Sequence, residues 1–209
     1  MISLAVSVPI ACWRKGAARE MWETELIPPP STCYGMLLSL VGEMERERHI
    51  GARVTTGVHA FSQISTVLRS LWRVKTRKLA PGVGNNASPD FQQLVTNAEV
   101  VVVLDSSQET NGLGLEERVL QALRDPTRVT RFGGLSLGES THLVNDINVM
   151  PDPWSQSYHV FVVEEDGDVT LPVWVDHVGA VGTAYTVGAL RFLSKAPDSG
   201  SIPVIAPTT

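Results

Sequence analysis

Ten consecutive residues carry the densest chemistry in this chain: Arg69-Ser70-Leu71-Trp72-Arg73-Val74-Lys75-Thr76-Arg77-Lys78. Half of them are basic. On a β-strand, Arg69, Leu71, Arg73, Lys75 and Arg77 share one face. Successive cations then lie about 6.6 Å apart, close to one phosphate-to-phosphate step of a nucleic-acid backbone. On a helix, Arg69, Arg73 and Arg77 still share a face at i, i+4 and i+8, and only Lys75 changes sides. The stripe therefore survives either assignment. Trp72 stacks on a base or fills the core. The competing reading is an edge strand that uses Lys and Arg to prevent pairing with other chains.

A second candidate is Arg131-Phe132-Gly133-Gly134-Leu135-Ser136-Leu137-Gly138-Glu139-Ser140. Glycines let a backbone approach a ligand closely, and exposed amides cradle phosphate. Arg131, Gly133, Gly134 and Ser136 are its candidate contacts. The same stretch hides Gly134-Leu135-Ser136-Leu137-Gly138, a match to the nucleophile elbow G-x-S-x-G. Asp152, Asp176 and His177 follow in the order a serine hydrolase needs. The elbow requires a buried strand before the serine and a helix after it. Neither is evident here, so the hydrolase is a remote reading. His49, His59, His142, His159 and His177 lack metal-ligand spacing. Asp166 and Asp168 bracket a turn glycine, too few ligands for a calcium loop. Gly112-Leu113-Gly114 lacks the third glycine of a dinucleotide fingerprint. Cys12 and Cys33 alone make neither a disulfide framework nor a four-ligand zinc site. No metal and no cofactor is predicted, and two cysteines suit a reducing cytoplasm.

These residues need a scaffold. Ile2, Leu4, Val6, Val8 and Ile10 alternate with small or polar residues, the period of a half-buried strand. A polar loop with Arg14, Lys15 and Arg19 follows. Pro28-Pro29-Pro30 stiffens the chain, and Ser31 or Thr32 suits an N-cap. Tyr34, Leu37, Leu38 and Val41 then predict a helix over 32–47, with Gly35 marking close packing. Residues 53–78 read as two strands or one long hairpin, and 80–90 as a flexible loop. Val100–Leu104 reads as a central buried strand. A helix opened by Asn111-Gly112, with Glu116 and Glu117 in its first turn and a Val119-Leu120-Leu123 stripe, ends at Pro126. Strands over 158–164 and 169–175 flank the hairpin signal Asp166-Gly167. The tail from Ala196 reads as loosely held.

The order strand, helix, two strands, strand, helix, strand predicts an α+β fold. It has a ferredoxin-like (RRM-like) βαββαβ core, a long β-hairpin and a small C-terminal β appendage. Such an open sheet is also a platform for RNA. The core spans 1–150, with the hairpin at 53–90, and the appendage and tail span 151–209.

With 209 residues, 43% hydrophobic and 19% charged, the chain is neither disordered nor collagen-like. No apolar run reaches the roughly 20 residues of a membrane span, so no membrane role is predicted. The apolar start lacks a basic n-region and reads as a strand, not a signal peptide. The net charge of −5 hides an asymmetry. Residues 1–78 carry 11 Lys and Arg against 6 Asp and Glu, whereas 79–209 carry 6 against 16. An acidic whole argues against a free-standing nucleic-acid binder. A basic half beside an acidic half fits a subunit with an anionic partner on one side.

One resemblance draws these pieces together. Pro28-Pro29-Pro30-Ser31-Thr32-Cys33-Tyr34-Gly35-Met36-Leu37-Leu38-Ser39 resembles the "P-P-S-x-x-Y-G-x-L" signature of the CRISPR-associated RAMP proteins that hold the crRNA 5′ handle in type I Cascade. The stretch Leu135 to Asn145 is similar to that family's later "L-G-x-S" loop. Order and spacing agree over roughly residues 1–180, and the short chain is most similar to the subtype I-B or Myxococcus-like branch. The resemblance implies a hairpin "thumb", placed at 53–78, that wedges against the guide. It implies RNA contacts from Arg14, Lys15, Arg19, Ser31, Thr32, Tyr34, Arg69, Trp72, Arg73, Lys75, Arg77, Lys78, Arg131, Gly133, Gly134 and Ser136. Implied partners are the crRNA 5′ handle, the Cascade backbone and large subunits, and target DNA through the complex. Members that serve RNA-guided transposons would add transposition proteins. One subtype of this family cuts precursor RNA, and here His49 or His59 would have to act as acid or base. The residues present no convincing catalytic set, so a non-catalytic subunit is predicted, with a metal-independent endoribonuclease as runner-up.

Overall fold

The structure is a computed structural model that describes residues 1–16, 21–72, 74–110, 112–152, 154–176 and 182–207, without the side chains of Leu71 and Trp72. The expectations on Arg19, Arg73 and His177, and on the Trp72 ring, lie outside the described residues. In chain order the elements are β1 (Ile2–Ala11), β2 (Met21–Trp22), α1 (Pro30–Leu40), β3 (Arg53–Val58), β4 (Ile64–Trp72), β5 (Ala87–Asp105), α2 (Leu115–Arg124), β6 (Asp146–Val149), β7 (Tyr158–Val163), β8 (Val169–Trp174) and β9 (Ala184–Leu193). The fold is α+β. One mixed sheet runs β6-β1-β5-β3-β7-β9-β8, with β2 and β4 joined to β5. All pairings are antiparallel except β2 with β5.

Alternation in β1 sends Leu4, Val6 and Val8 to one face, where they meet Val100, Val102 and Leu104 of β5 and the apolar sides of both helices. Cys33 and Leu37 of α1 and Leu115 and Val119 of α2 complete this core. The opposite face carries Val101 and Val103 with Tyr158, Val160 and Ile202. Val100–Leu104 is thus buried on both sides, which is why it reads as an unbroken apolar run. No helix among the described residues is long and apolar enough to cross a membrane.

Five expectations change. Helix α1 starts at Pro30 and has no side-chain cap, so Ser31 and Thr32 lie inside its first turn. Proline suits that place because its missing N–H would have no partner there. The helix stops at Leu40 rather than 47, because Gly42 turns left-handed (φ +67°). Gly42 N–H then donates to Ser39 O at 3.2 Å and Glu43 N–H to Leu38 O at 2.9 Å, a Schellman stop. Gly35 marks no close packing: a Cβ there would meet nothing within 4 Å. Strands β7 and β8 do not pair with each other, because β9 lies between them and Gly188 faces both Val163 and Val169. The tail is not loose. Ile202 and Ile205 are fully buried, and Val54 N–H donates to Pro203 O, Ile205 N–H to Ala52 O and Gly51 N–H to Ile205 O, at 2.8–3.1 Å. The tail thereby covers the part of β3 that β7 leaves open.

The long hairpin also has other bounds. β3 belongs to the main sheet, and the projecting arm is β4 paired with the first half of β5, Ile64 opposite Val95 through Trp72 opposite Ala87. β5 is 19 residues long and serves both parts. Its second half pairs with β1 and β3. Between the halves, Asn97 is left-handed (φ +51°), level with Pro9 of β1 in the register Val8–Ala98, Ile10–Thr96. Asparagine tolerates this conformation better than other residues that carry a Cβ.

Candidate nucleic-acid interface

The first cluster lies at the base of the arm. The chain after β1 turns back on itself: Lys15 N–H donates to Glu23 O and Glu25 N–H to Trp13 O. This brings β2 beside β5, with Trp22 level with Gln92. The Trp22 ring carries two cations. The guanidinium carbon of Arg14 is 4.4 Å from its centroid and that of Arg69 is 5.1 Å away. Arg69 also donates to Gln92 Oε1 and, at 3.5 Å, to Glu139. Gln92 Nε2 donates to Glu139 Oε1 at 2.9 Å. Stacking holds both guanidiniums against the Trp22 ring, and the bonds to Gln92 and Glu139 fix Arg69 further.

Glu139 comes from the glycine stretch, which is a small hairpin. Val144 N–H donates to Leu135 O and Leu137 N–H to His142 O, with Ser136 opposite Leu143. At its turn Gly138 (φ +124°) approaches β1 so closely that a Cβ would lie 3.0 Å from Cys12 O. His142 fastens the contact, since its Nδ1 accepts from Cys12 N–H at 3.1 Å and from Glu139 N–H at 3.2 Å. Two donors on Nδ1 require that nitrogen to be unprotonated. Burial lowers the His142 pKa; Glu139 opposes and Arg69 reinforces the shift. A histidine lowered in the folded state gives its full stability above its unfolded value and loses it as pH falls below that value. His142→Ala is expected to cost about 1 kcal/mol at pH 7.5. The gap to wild type should narrow as pH falls below the ordinary histidine range, read as melting temperature from pH 8 to 5. A gap constant with pH would contradict the clasp.

The same geometry disposes of the elbow. Ser136 sits in a β-bridge within a hairpin, with no helix after it, so nothing thrusts its hydroxyl out as a nucleophile.

The second cluster is the arm's tip. β4 ends at Trp72, so the single-face stripe expected from Arg69 to Arg77 does not form. Arg69 stays on the strand opposite Asp90, while Lys75, Arg77 and Lys78 stand exposed on the loop beyond. That loop is not loose, and 80–90 is not one flexible piece, because β5 already begins at Ala87. Asn86, wholly buried, organises it. Its Oδ1 accepts from Lys75 and Thr76 N–H at 2.8 and 2.9 Å, and its Nδ2 donates to the carbonyls of Thr76, Leu79 and Ala80.

The third feature is an open groove of about 330 Å³ along α1, lined also by Arg131 and Phe132 of the glycine stretch. Ser31 and Thr32 line it, and Gly133 (φ +78°) and Gly134 stand exposed nearby in sequence. Tyr34 is a core residue despite its place in the candidate set. Its hydroxyl donates to Arg46 O at 2.5 Å, its ring packs 6.3 Å from Trp174, and burial pushes its pKa up.

The two histidines considered for catalysis, His49 and His59, lie in very different surroundings. His49 is fully buried between Glu109 (Nδ1 to Oε2, 2.5 Å) and Arg118 (Nη1 to Nε2, 2.8 Å). Glu109 also accepts from Leu115 N–H at the start of α2, and Arg118 also donates to Glu43 at 2.5 Å. His59 is exposed, with Nδ1 2.8 Å from Ser157 O. Cys12 and Cys33 are buried free thiols. Among the described residues no three His, Cys, Asp or Glu side chains are grouped to hold a metal. Sequence reasoning missed Trp22, Asn86, Gln92, Glu139 and Phe132. Of these, Phe132 and Glu139 had a local signal, since both lie inside the glycine stretch.

No family model matches the chain. It is 55% identical over 207 residues to the CRISPR-associated protein Cas5 of Myxococcus xanthus (strain DK1622), covering 98% of this chain and 97% of that one. Its fold is similar to a chain of a CRISPR RNA-guided surveillance complex, with a TM-score of 0.63 at 12% identity, over 99% of this chain and 90% of the other. It is also similar to the crystal structure of a Cas protein, with a TM-score of 0.55 at 14% identity, over 92% and 94% of the two chains. With more than half its residues shared end to end with that relative, the chain belongs to the Cas5 family of CRISPR-associated proteins.

Proposed function

We propose that this chain is a non-catalytic subunit of a type I Cascade effector, of the subtype I-B or Myxococcus-like branch, that grips the 5′ handle of the guide RNA. The observation that carries this reading is the arm: three cations, Lys75, Arg77 and Lys78, displayed on a tip shaped by buried Asn86. Arg14 and Arg69 on Trp22, the latter also 3.5 Å from Glu139, give a second cationic contact at its base. Backbone phosphates would supply most of the affinity, and splayed bases the rest. The proposed contacts are Arg14, Lys15, Arg19, Ser31, Thr32, Arg69, Trp72, Arg73, Lys75, Arg77, Lys78, Arg131, Gly133, Gly134 and Ser136.

The strand order β6-β1-β5-β3, with α1 after β1 and α2 after β5, supports a ferredoxin-like core with the arm as its thumb and β7–β9 as the appendage. Its partners in the cytoplasm would be the backbone and large subunits, with target DNA reached through the complex. Burial of His49 between Glu109 and Arg118 weighs against it as the acid or base of the endoribonuclease reading.

The test is a mobility shift with labelled crRNA carrying its 5′ handle, without metal, on the chain co-expressed with its Cascade partners and on complexes lacking it. A salt-sensitive shift that needs this chain and leaves the RNA intact is expected. Cleavage of repeat RNA, or handle retention equal without the chain, would overturn the reading.

A further inference from the structure

Gly35 is costly where it stands. It lies in the interior of α1, where glycine is the weakest helix former after proline. Its φ is ordinary, and a Cβ would meet nothing within 4 Å. Neither backbone conformation nor internal packing calls for the missing side chain. The space it leaves opens into the groove along α1.

The walls of that groove define the occupant's chemistry. Arg46 and Arg131 both line it, and neither has an ion-pair partner among the described residues. The one carboxylate there, Glu43, is already neutralised by Arg118 and Arg48. Phe132, at the rim, is 95% exposed, and Met44, which also lines the groove, is 82% exposed. Ser31 Oγ is buried without a hydrogen bond. The Arg46 guanidinium stacks on Trp174, 4.4 Å from its ring centroid, which orients it without neutralising its charge. Cations without a carboxylate partner, a bare aromatic ring and an unused hydroxyl suit a ligand that is flat and anionic.

We infer that the α1 groove takes one unstacked nucleotide of the bound RNA, its base against Phe132 and its phosphate between Arg46 and Arg131, with Gly35 as the floor that makes room. A cavity of about 330 Å³ is large enough for a base with its ribose. The inference rests on the RNA-holding function proposed above. It goes beyond it by adding a base pocket remote in sequence from the arm.

The test uses the co-expressed complex loaded with crRNA that carries 2-aminopurine at each handle position in turn. One position is expected to be bright, as an unstacked base is, and Phe132→Ala should change its fluorescence at least twofold, roughly the effect of losing one stacking partner. Gly35→Leu should do the same while raising the melting temperature of the isolated chain by about 2 °C through better helix propensity. That pairing of a more stable chain with a displaced base separates the pocket from simple misfolding. Normal RNA retention with no position responding to either variant would overturn the pocket and leave the proposed function standing. Loss of a partner subunit from the Gly35→Leu complex, with every position unchanged, would overturn it in favour of a protein segment. A wild-type complex that holds no handle RNA would sink both.

Discussion

Complexes with Lys75, Arg77 and Lys78 all changed to alanine are expected to bind guide RNA about 100-fold more weakly at 0.1 M salt, because three phosphate contacts and their released counterions are lost together. The slope of log K against log salt should flatten by about 2, near 0.7 for each contact on a single strand. The slope is the sharper readout, since a variant that merely disturbs folding lowers affinity without changing the number of counterions released. Asn86→Ala gives the complementary measurement. It keeps every charge but removes the bonds to Lys75 and Thr76 N–H and to three carbonyls. If shape matters as well as charge, binding should fall roughly tenfold with the salt slope almost intact. An unchanged slope in the triple variant would remove the tip from the RNA interface.

The largest stability effect should come from His49→Ala. The ring bridges Glu109 and Arg118 in a buried chain of polar groups that starts at Leu115 N–H and ends at Glu43. Arg118 can only donate, so His49 Nε2 accepts from it while Nδ1 carries the proton toward Glu109. Deleting the ring leaves a buried carboxylate and a guanidinium without their partner, a loss of about 3 kcal/mol. For a chain of this size that lowers the melting temperature by roughly 9 °C. The far end of the network adds a pH signature. Burial by itself would raise the Glu43 pKa, but the Glu45 N–H, Arg118 and Arg48 outweigh it and hold the carboxyl down at about 2. A carboxylate lowered in the folded state stabilises fully above its unfolded value near 4.5 and loses that contribution as pH falls toward 2. Glu43→Gln should flatten acid unfolding in that window. A fully folded His49→Ala chain with an unchanged melting temperature would contradict the structural role and reopen a catalytic one.

Local patterning reveals much of the scaffold and little of the site. Alternation marks β1, and the β-branched run marks the centre of β5 because both its faces are covered. Pro126 and the acidic first turn bracket α2 closely. The start of β5, up to residue 90, reads as loop because Ser88-Pro89-Asp90 is polar and holds a proline, and Gln92-Gln93 gives no apolar period to mark a strand after it. Those residues form an arm with solvent on much of its surface, where no core imposes an apolar period. β9 is hidden for a different reason: Asp166-Gly167 advertises a two-strand hairpin, and nothing local says a third strand will slip between. The tail misleads because Pro, Ser and Gly usually signal freedom, whereas Ile202 and Ile205 are enough to anchor it. The site is assembled across long separations, Arg14 with Trp22 and Arg69, Glu139 with Gln92. Basic residues are visible in sequence; their pairing with the tryptophan and carboxylate that orient them is not.

Strand β5 behaves mechanically as a single beam with one crease. Nineteen residues at about 3.4 Å each span roughly 65 Å, from the tip of the arm to the centre of the sheet. The crease is at Asn97, opposite a proline that donates no ladder bond. Beyond it the beam is clamped on both edges, by β1 and β3, and before it by β4 and β2. Strand β1 runs across the crease, with Val8 opposite Ala98 on one side and Ile10 and Ala11 opposite Thr96 and Val95 on the other, so it splints the joint. The arm is thus an extension of the sheet's own central strand rather than a separate hinged piece, and a tilt of it would have to bend that strand against its β1 splint.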